Sequence, residues 1–142
     1  MDNYKKTEQW LYKLNALKVY LEKLKQEYQE LEELAEGTAI EYDKDKLCET
    51  YQFSSNTENM ALELYKKQTK IKHTKHRIDT LEKALSILSD TEREIIEQRY
   101  FAKEPWFNIT YHVQYEERHC RRIRRRAIET LSVALFGDKD AM

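Results

Sequence analysis

Trp10, Leu14, Leu17, Leu21, Leu24, Tyr28 and Leu31 follow one another at steps of four, three, four, three, four and three. A 3.5-residue repeat keeps one stripe of an α-helix apolar, and a strand, with its period of two, cannot produce it. Lys and Glu fill the positions between. The spacing predicts one helix from about Asn3 to Glu36, ended by Gly37, a helix-terminating residue. At 1.5 Å per residue such a helix is about 50 Å long, too long to stand alone in water, so something must cover its stripe.

The covering element follows a connection near residues 37–54. "SNTE" (Ser55 to Glu58) reads as a capping box, with a side-chain oxygen at its first position and a carboxylate three residues later. Beyond it Leu64, Ile71, Ile78 and Leu85 recur every seven residues. Met60, Leu81 and Leu88 add seam positions, while Lys67 and Thr74 interrupt the middle. Residues 1–88 are therefore expected to form a long antiparallel helical hairpin, a coiled coil, able to self-associate through leftover apolar surface. Ile40, Leu47, Tyr51 and Phe53 give the connection apolar side chains to tuck against it. The acidic "EYQELEELAE" of the first helix matches the basic "YKKQTKIKHTKHR" of the second.

Composition agrees. The 142 residues include two Gly and one Pro, with 36% charged and 40% hydrophobic. So few helix breakers among so many Glu, Lys, Leu and Gln predict an all-α fold.

After Leu88 the pattern changes. "SDTE" (Ser89 to Glu92) is a second capping box, and "TEREIIEQRYF" a short amphipathic helix with Ile95, Ile96, Arg99 and Tyr100 in its middle. "AKEP" interrupts it, and Pro105 suits the first turn of a new helix. "WFNITYHVQ" spaces Trp106, Ile109 and Val113 helically. A turn at Gln114 and Tyr115 leads into "EERHCRRIRRRAIETL". Three short helices, the last two joined tightly, describe a helix-turn-helix over residues 89–137, with a tail at 138–142.

Six arginines fall among the nine residues from Arg118 to Arg126. At 100° per residue Cys120, Ile123, Ala127, Leu131 and Ala134 share the side facing the other helices. Arg118, Arg121, Arg122 and Arg125 share the opposite side, and Arg124 and Arg126 flank the buried stripe. Each close like-charge pair costs an isolated helix about 0.2–0.5 kcal/mol. Phosphates offset that repulsion by releasing counterions, and arginine also reads guanine bidentately in the major groove. The plain alternative is a solvated face balanced by Glu116, Glu117 and Glu129. Their placement on the second helix of a helix-turn-helix favours double-stranded DNA, met by a recognition helix at 116–132.

From Leu88 onward the chain resembles region four of bacterial sigma factors, and more closely the phage-encoded ArpU/RinA-type regulators of late or lysis genes. "LSDTEREIIEQRYF" is similar to the family's "L…ER.II..RYF" helix, followed by Trp106 and Ile109. "YEERHCRRIRRRAIETL" looks like its recognition helix, and "ALFG" (Ala134 to Gly137) like its ending. The resemblance implies that Glu117, Arg118, Arg121 and Arg122 meet base edges and that Arg125 and Arg126 reach phosphates. It also implies that Thr110 and Tyr111 touch the DNA backbone and that RNA polymerase is a partner. Two positions depart from the family's habit: Glu116 stands where a small N-cap residue is usual, and Gln114 where sigma factors often carry Gly.

Other chemistry finds little footing. His73 and His76 lack a third ligand at a telling spacing, so no metal and no cofactor is expected. Cys120 falls on the buried stripe, and Tyr100, Phe101 and Trp106 read as core. No Ser/His/Asp or Cys/His set, acid pair or glycine-rich phosphate loop appears, so the chain is not read as an enzyme. The two cysteines, Cys48 and Cys120, suit a reducing cytoplasm. No apolar run approaches the roughly 20 residues that span a bilayer, and "MDNYKKTEQW" lacks the apolar block of a signal peptide. A phage or prophage transcription regulator assembling as a homo-oligomer through the hairpin is the leading expectation. A small terminase subunit, or a coiled-coil adaptor without nucleic-acid binding, would share its architecture.

Overall fold

A computed structural model describes the backbone of residues 2–44 and 50–138 and the side chains of residues 2–37 and 57–138. Among the described residues the chain is all-α, with no strand. Its helices are α1 (Asn3–Lys44), α2 (Thr50–Leu85), α3 (Asp90–Ile96), α4 (Trp106–Val113) and α5 (Glu117–Phe136), with a π turn at Glu97–Phe101 between α3 and α4. α1 and α2 form the antiparallel hairpin.

Asp2 starts α1, its carboxylate accepting from the Lys5 N–H at 2.8 Å. The helix does not stop at Gly37 but runs on to Lys44. A glycine inside a helix costs about 1 kcal/mol relative to Ala, a penalty that flanking helix formers carry easily. Likewise α2 begins at Thr50, so Ser55 lies inside a helix and "SNTE" is no helix start. The predicted connection at 37–54 shrinks accordingly. The expected tucking of Ile40, Leu47, Tyr51 and Phe53 lies outside the described side chains.

The chain divides into two compact units, Met1–Leu17 with Arg77–Met142, and Lys18–His76. α1 and α2 each contribute to both. In the second unit Leu21 and Leu24 of α1 are buried, with Tyr28 and Leu31 half-buried beside them. From α2, Leu64 and Ile71 are half-buried and Thr74 is buried. Lys67, the cation in the seam, donates to Glu27 across the hairpin at 2.7 Å. Of the expected acidic-to-basic matching, this is the bond seen among the described residues. It holds the Glu27 carboxyl below its ordinary pKa and lifts the Lys67 ammonium.

The first unit has three sources: the start of α1, the end of α2 and the three short helices. Ile95, Trp106, Ile109 and Cys120 form one core, with Val113 and Ile123 against it. Ile78, Leu81, Ala84 and Leu85 bring in α2, and Leu88 the turn after it. Thr7 and Leu11 bring in α1; both are fully buried, and the Thr7 hydroxyl is satisfied by donating to the Asn3 carbonyl at 2.7 Å. Tyr100, in the π turn, is 1% exposed and donates to the Glu8 carboxylate at 2.7 Å. Burial and that bond push the Tyr100 hydroxyl far above its ordinary pKa. Its ring lies 4.9 Å from that of Tyr12, and Trp10 meets Phe136 edge-on at 5.3 Å. The sequence boundary after residue 88 thus falls inside this unit.

Tyr100→Phe removes the donor and leaves a partly buried carboxylate unpaired, so it should cost about 1–3 kcal/mol, read as a lower urea midpoint. An unchanged midpoint would mean that the bond contributes nothing. The Glu27–Lys67 bond has the acid-side signature of a depressed carboxyl. Its stabilisation is complete above the ordinary Glu value of 4.5 and is lost as pH falls through the lower folded value. Glu27→Gln should therefore be less stable than wild type at pH 7, with the difference shrinking as pH falls below 4.5.

Candidate nucleic-acid interface

The capping box at Ser89 is present in full: Glu92 N–H donates to the Ser89 hydroxyl at 3.3 Å, and Ser89 N–H to the Glu92 carboxylate at 3.2 Å. α3 then widens into the π turn, where Ala102 N–H reaches back to the Glu97 carbonyl at 3.0 Å. That added residue per turn re-aims the side chains that follow. Pro105 is the N-cap of α4, one position before its expected place, with extended backbone and no side-chain bond to offer.

The turn after α4 depends on Gln114, whose φ is +64°. A left-handed residue ends α4 and redirects the chain within three residues, the geometry for which sigma factors often use Gly. Gln114 adopts it without a glycine's freedom, its backbone N–H donating to Thr110 O and its side-chain amide to Tyr111 O, each at 2.9 Å. Glu116 is the N-cap of α5 and makes no side-chain cap bond, as its length would lead one to expect.

On α5, Cys120, Ala127 and Leu131 are buried as predicted and Ile123 is half-buried, but Ala134 is exposed and Ile128 is buried in its place. The start of α1 approaches this part of α5. Ile128 lies one turn past Arg124, on the side where Tyr4 interacts with Arg124 and where Trp10 packs on Phe136. A helix gripped from two directions needs a wider apolar face than a 3.5-residue stripe supplies. Burial raises the Cys120 thiol above its ordinary pKa, with the nearby Glu117 charge adding to the effect, so the thiolate is disfavoured.

Arg118, Arg122, Arg125 and Arg126 are all exposed, and among the described residues none forms an ion pair. Arg121 is also exposed, with Glu117 at 3.6 Å and the Trp106 ring centroid at 5.5 Å. Arg124 is half-buried, 5.3 Å from the same ring, its Nε shut off from water. Arg99 stacks on that ring at 4.7 Å and donates to the Glu104 carbonyl at 3.1 Å. Three guanidiniums thus surround Trp106, itself 7% exposed. This cluster escaped sequence reasoning, because Arg99 and Arg124 look like further members of a charge run. Of the two residues expected at the DNA backbone, Tyr111 is 77% exposed. Thr110 is half-buried and donates its hydroxyl to Phe107 O at 2.9 Å, leaving only its lone pairs for a ligand.

Among the described residues there is no group of three metal-ligating side chains, and no helix long and apolar enough to cross a membrane. A family described as "Protein of unknown function (DUF722)" matches residues 4–133. No curated protein and no solved structure matches the chain.

Gln114→Gly should stabilise the protein by about 1 kcal/mol, the steric cost of a left-handed residue with a Cβ, less the exposed amide bond it forfeits. Urea unfolding reads this directly, and a midpoint at or below wild type would remove the strain assigned to the turn.

Proposed function

The chain belongs to the DUF722 family, and we propose that this member binds double-stranded DNA, with α5 entering the major groove. One observation carries the reading: Arg118, Arg122, Arg125 and Arg126 stand exposed on one helix with no carboxylate of the described chain to neutralise them. The balancing acids of the plain alternative do little here. Of Glu116, Glu117 and Glu129, only Glu117 forms an ion pair on α5, and that is with Arg121. A free guanidinium row gains most from a polyanion, through released counterions and short charge-assisted bonds. Tyr111 and the lone pairs of Thr110 are available to the DNA backbone from α4.

The resemblance to ArpU/RinA-type regulators supplies the biological half of the proposal. The protein acts as a phage or prophage transcription regulator of late or lysis genes in the bacterial cytoplasm, with RNA polymerase as a partner. Assembly of copies through the hairpin would use apolar side chains that the fold leaves exposed there, among them Val19, Leu62 and Tyr65.

Titrating the full chain into a fluorescent 30-base-pair duplex tests this. Four free arginines predict a log–log slope of affinity against salt of about −3 to −4. Replacing both Arg121 and Arg122 by Ala should weaken binding about tenfold or more while leaving the unfolding midpoint in place. A flat salt response would leave a helical adaptor as the better description.

A further inference from the structure

The five exposed arginines of α5 are not equivalent. Arg118, Arg122, Arg125 and Arg126 end in solvent, without an ion pair or ring contact among the described residues. Arg121 is held twice, by the Glu117 carboxylate one turn earlier at 3.6 Å and by the Trp106 ring at 5.5 Å. The two partners differ in how firmly they are held. The Glu117 side chain, in the first turn of α5, is exposed, whereas Trp106 is nearly buried in the core that joins α3, α4 and α5.

Reading a base requires a guanidinium fork in one orientation, whereas neutralising a phosphate requires only a nearby charge. Ordering a free arginine on binding sacrifices rotamer entropy, and one already ordered loses less. Resting on the DNA-binding reading above, we infer that Arg121 is the specificity-determining residue, taking a guanine through its O6 and N7. The four free arginines then supply affinity that is blind to sequence. Glu117 and Trp106 are positioning residues.

The crowding at Trp106 gives Arg121 its direction. Three cations around one ring repel one another. Arg99 is anchored to the Glu104 carbonyl and Arg124 is half-buried. Arg121 is the exposed member of the three, the one a duplex can reach while its contacts to Glu117 and the ring stay in place. Glu117 also acts as a filter: a carboxylate near the groove repels phosphate, weakening binding wherever Arg121 finds no guanine to engage.

The test enriches a pool of random duplex DNA on the full-length wild type, Arg121→Lys, Arg125→Ala and Glu117→Gln chains, then measures affinity for the enriched and a scrambled duplex against salt. Wild type should enrich a motif holding a G·C pair. Arg121→Lys keeps the charge but loses the fork, so its salt slope should stay while preference for that pair drops about tenfold or more. Arg125→Ala should lower the slope by about one and leave the motif intact. Glu117→Gln should bind the scrambled duplex more tightly and narrow the ratio between the two duplexes, which a purely structural role would not do. If Arg121→Lys enriches the wild-type motif with undiminished preference, the assignment of Arg121 is overturned while DNA binding stands. If wild type binds no duplex, the DNA-binding reading falls and this inference with it.

Discussion

The hydrogen bond from Tyr100 to Glu8 joins residues 92 positions apart, and the first unit depends on it. A helix-turn-helix of about fifty residues buries little surface, and its three short helices give a marginal core. Here the missing surface comes from the opposite end of the sequence. Thr7 and Leu11 are fully buried, Trp10 packs on Phe136, and Tyr12 lies on the ring of Tyr100. Polar chemistry makes that contact specific. A buried tyrosine hydroxyl must find an acceptor, and Glu8 is one that only a particular placement of α1 brings within reach. The π turn belongs to the same arrangement, since it carries Tyr100 and, two residues past its end, Lys103 with a left-handed φ of +56°.

Guanidinium on indole is the second recurring device. Arg77 covers Trp10 at 4.7 Å, and Arg99, Arg121 and Arg124 surround Trp106. Arginine tolerates this because its delocalised charge is weakly hydrated and its plane stacks on a ring; an ammonium would hold its water more firmly. One residue type therefore performs two tasks in α5. Arg124 helps to seal the core, and Arg118, Arg122, Arg125 and Arg126 face solvent.

Much of this was legible in the sequence, and the failures have physical causes. The heptads specify the hairpin because periodicity is local, and the same holds for the capping box at Ser89 and the turn at Gln114. Gly37 and "SNTE" misled because each signals a helix end only where nothing better is available, and long helices carry such residues through their interiors. The Glu8–Tyr100 bond was invisible, since two polar residues so far apart advertise no pairing. The swap of Ala134 for Ile128 was equally out of reach, since the periodicity of α5 carries no sign that Trp10 of α1 packs on Phe136. On α5, one-dimensional reading finds the arginine row but cannot separate Arg121, which Trp106 and Glu117 hold, from Arg118, Arg122, Arg125 and Arg126, which make no ion pair or ring contact among the described residues.

Lys67 in the hairpin shows what a polar residue in an apolar seam can do. Half-buried ion pairs add little net stability, so its bond to Glu27 is a weak reason for the hairpin to exist. It is a stronger reason for the hairpin to have one register. A seam of leucines repeating every seven residues is nearly indifferent to a slip of one heptad. Such a slip would bring Lys67 opposite Tyr20 or Leu34 and Glu27 opposite Met60 or Thr74. Either arrangement leaves the Lys67 ammonium in the seam without the Glu27 carboxylate beside it, an expense that the correct register avoids. Thr74, buried one heptad beyond Lys67, adds to the asymmetry, because a small hydroxylated side chain fits poorly where a leucine is wanted. The interruptions in the heptads, which look like weakness when counted as lost apolar area, are thus what makes one pairing of α1 and α2 better than its neighbours.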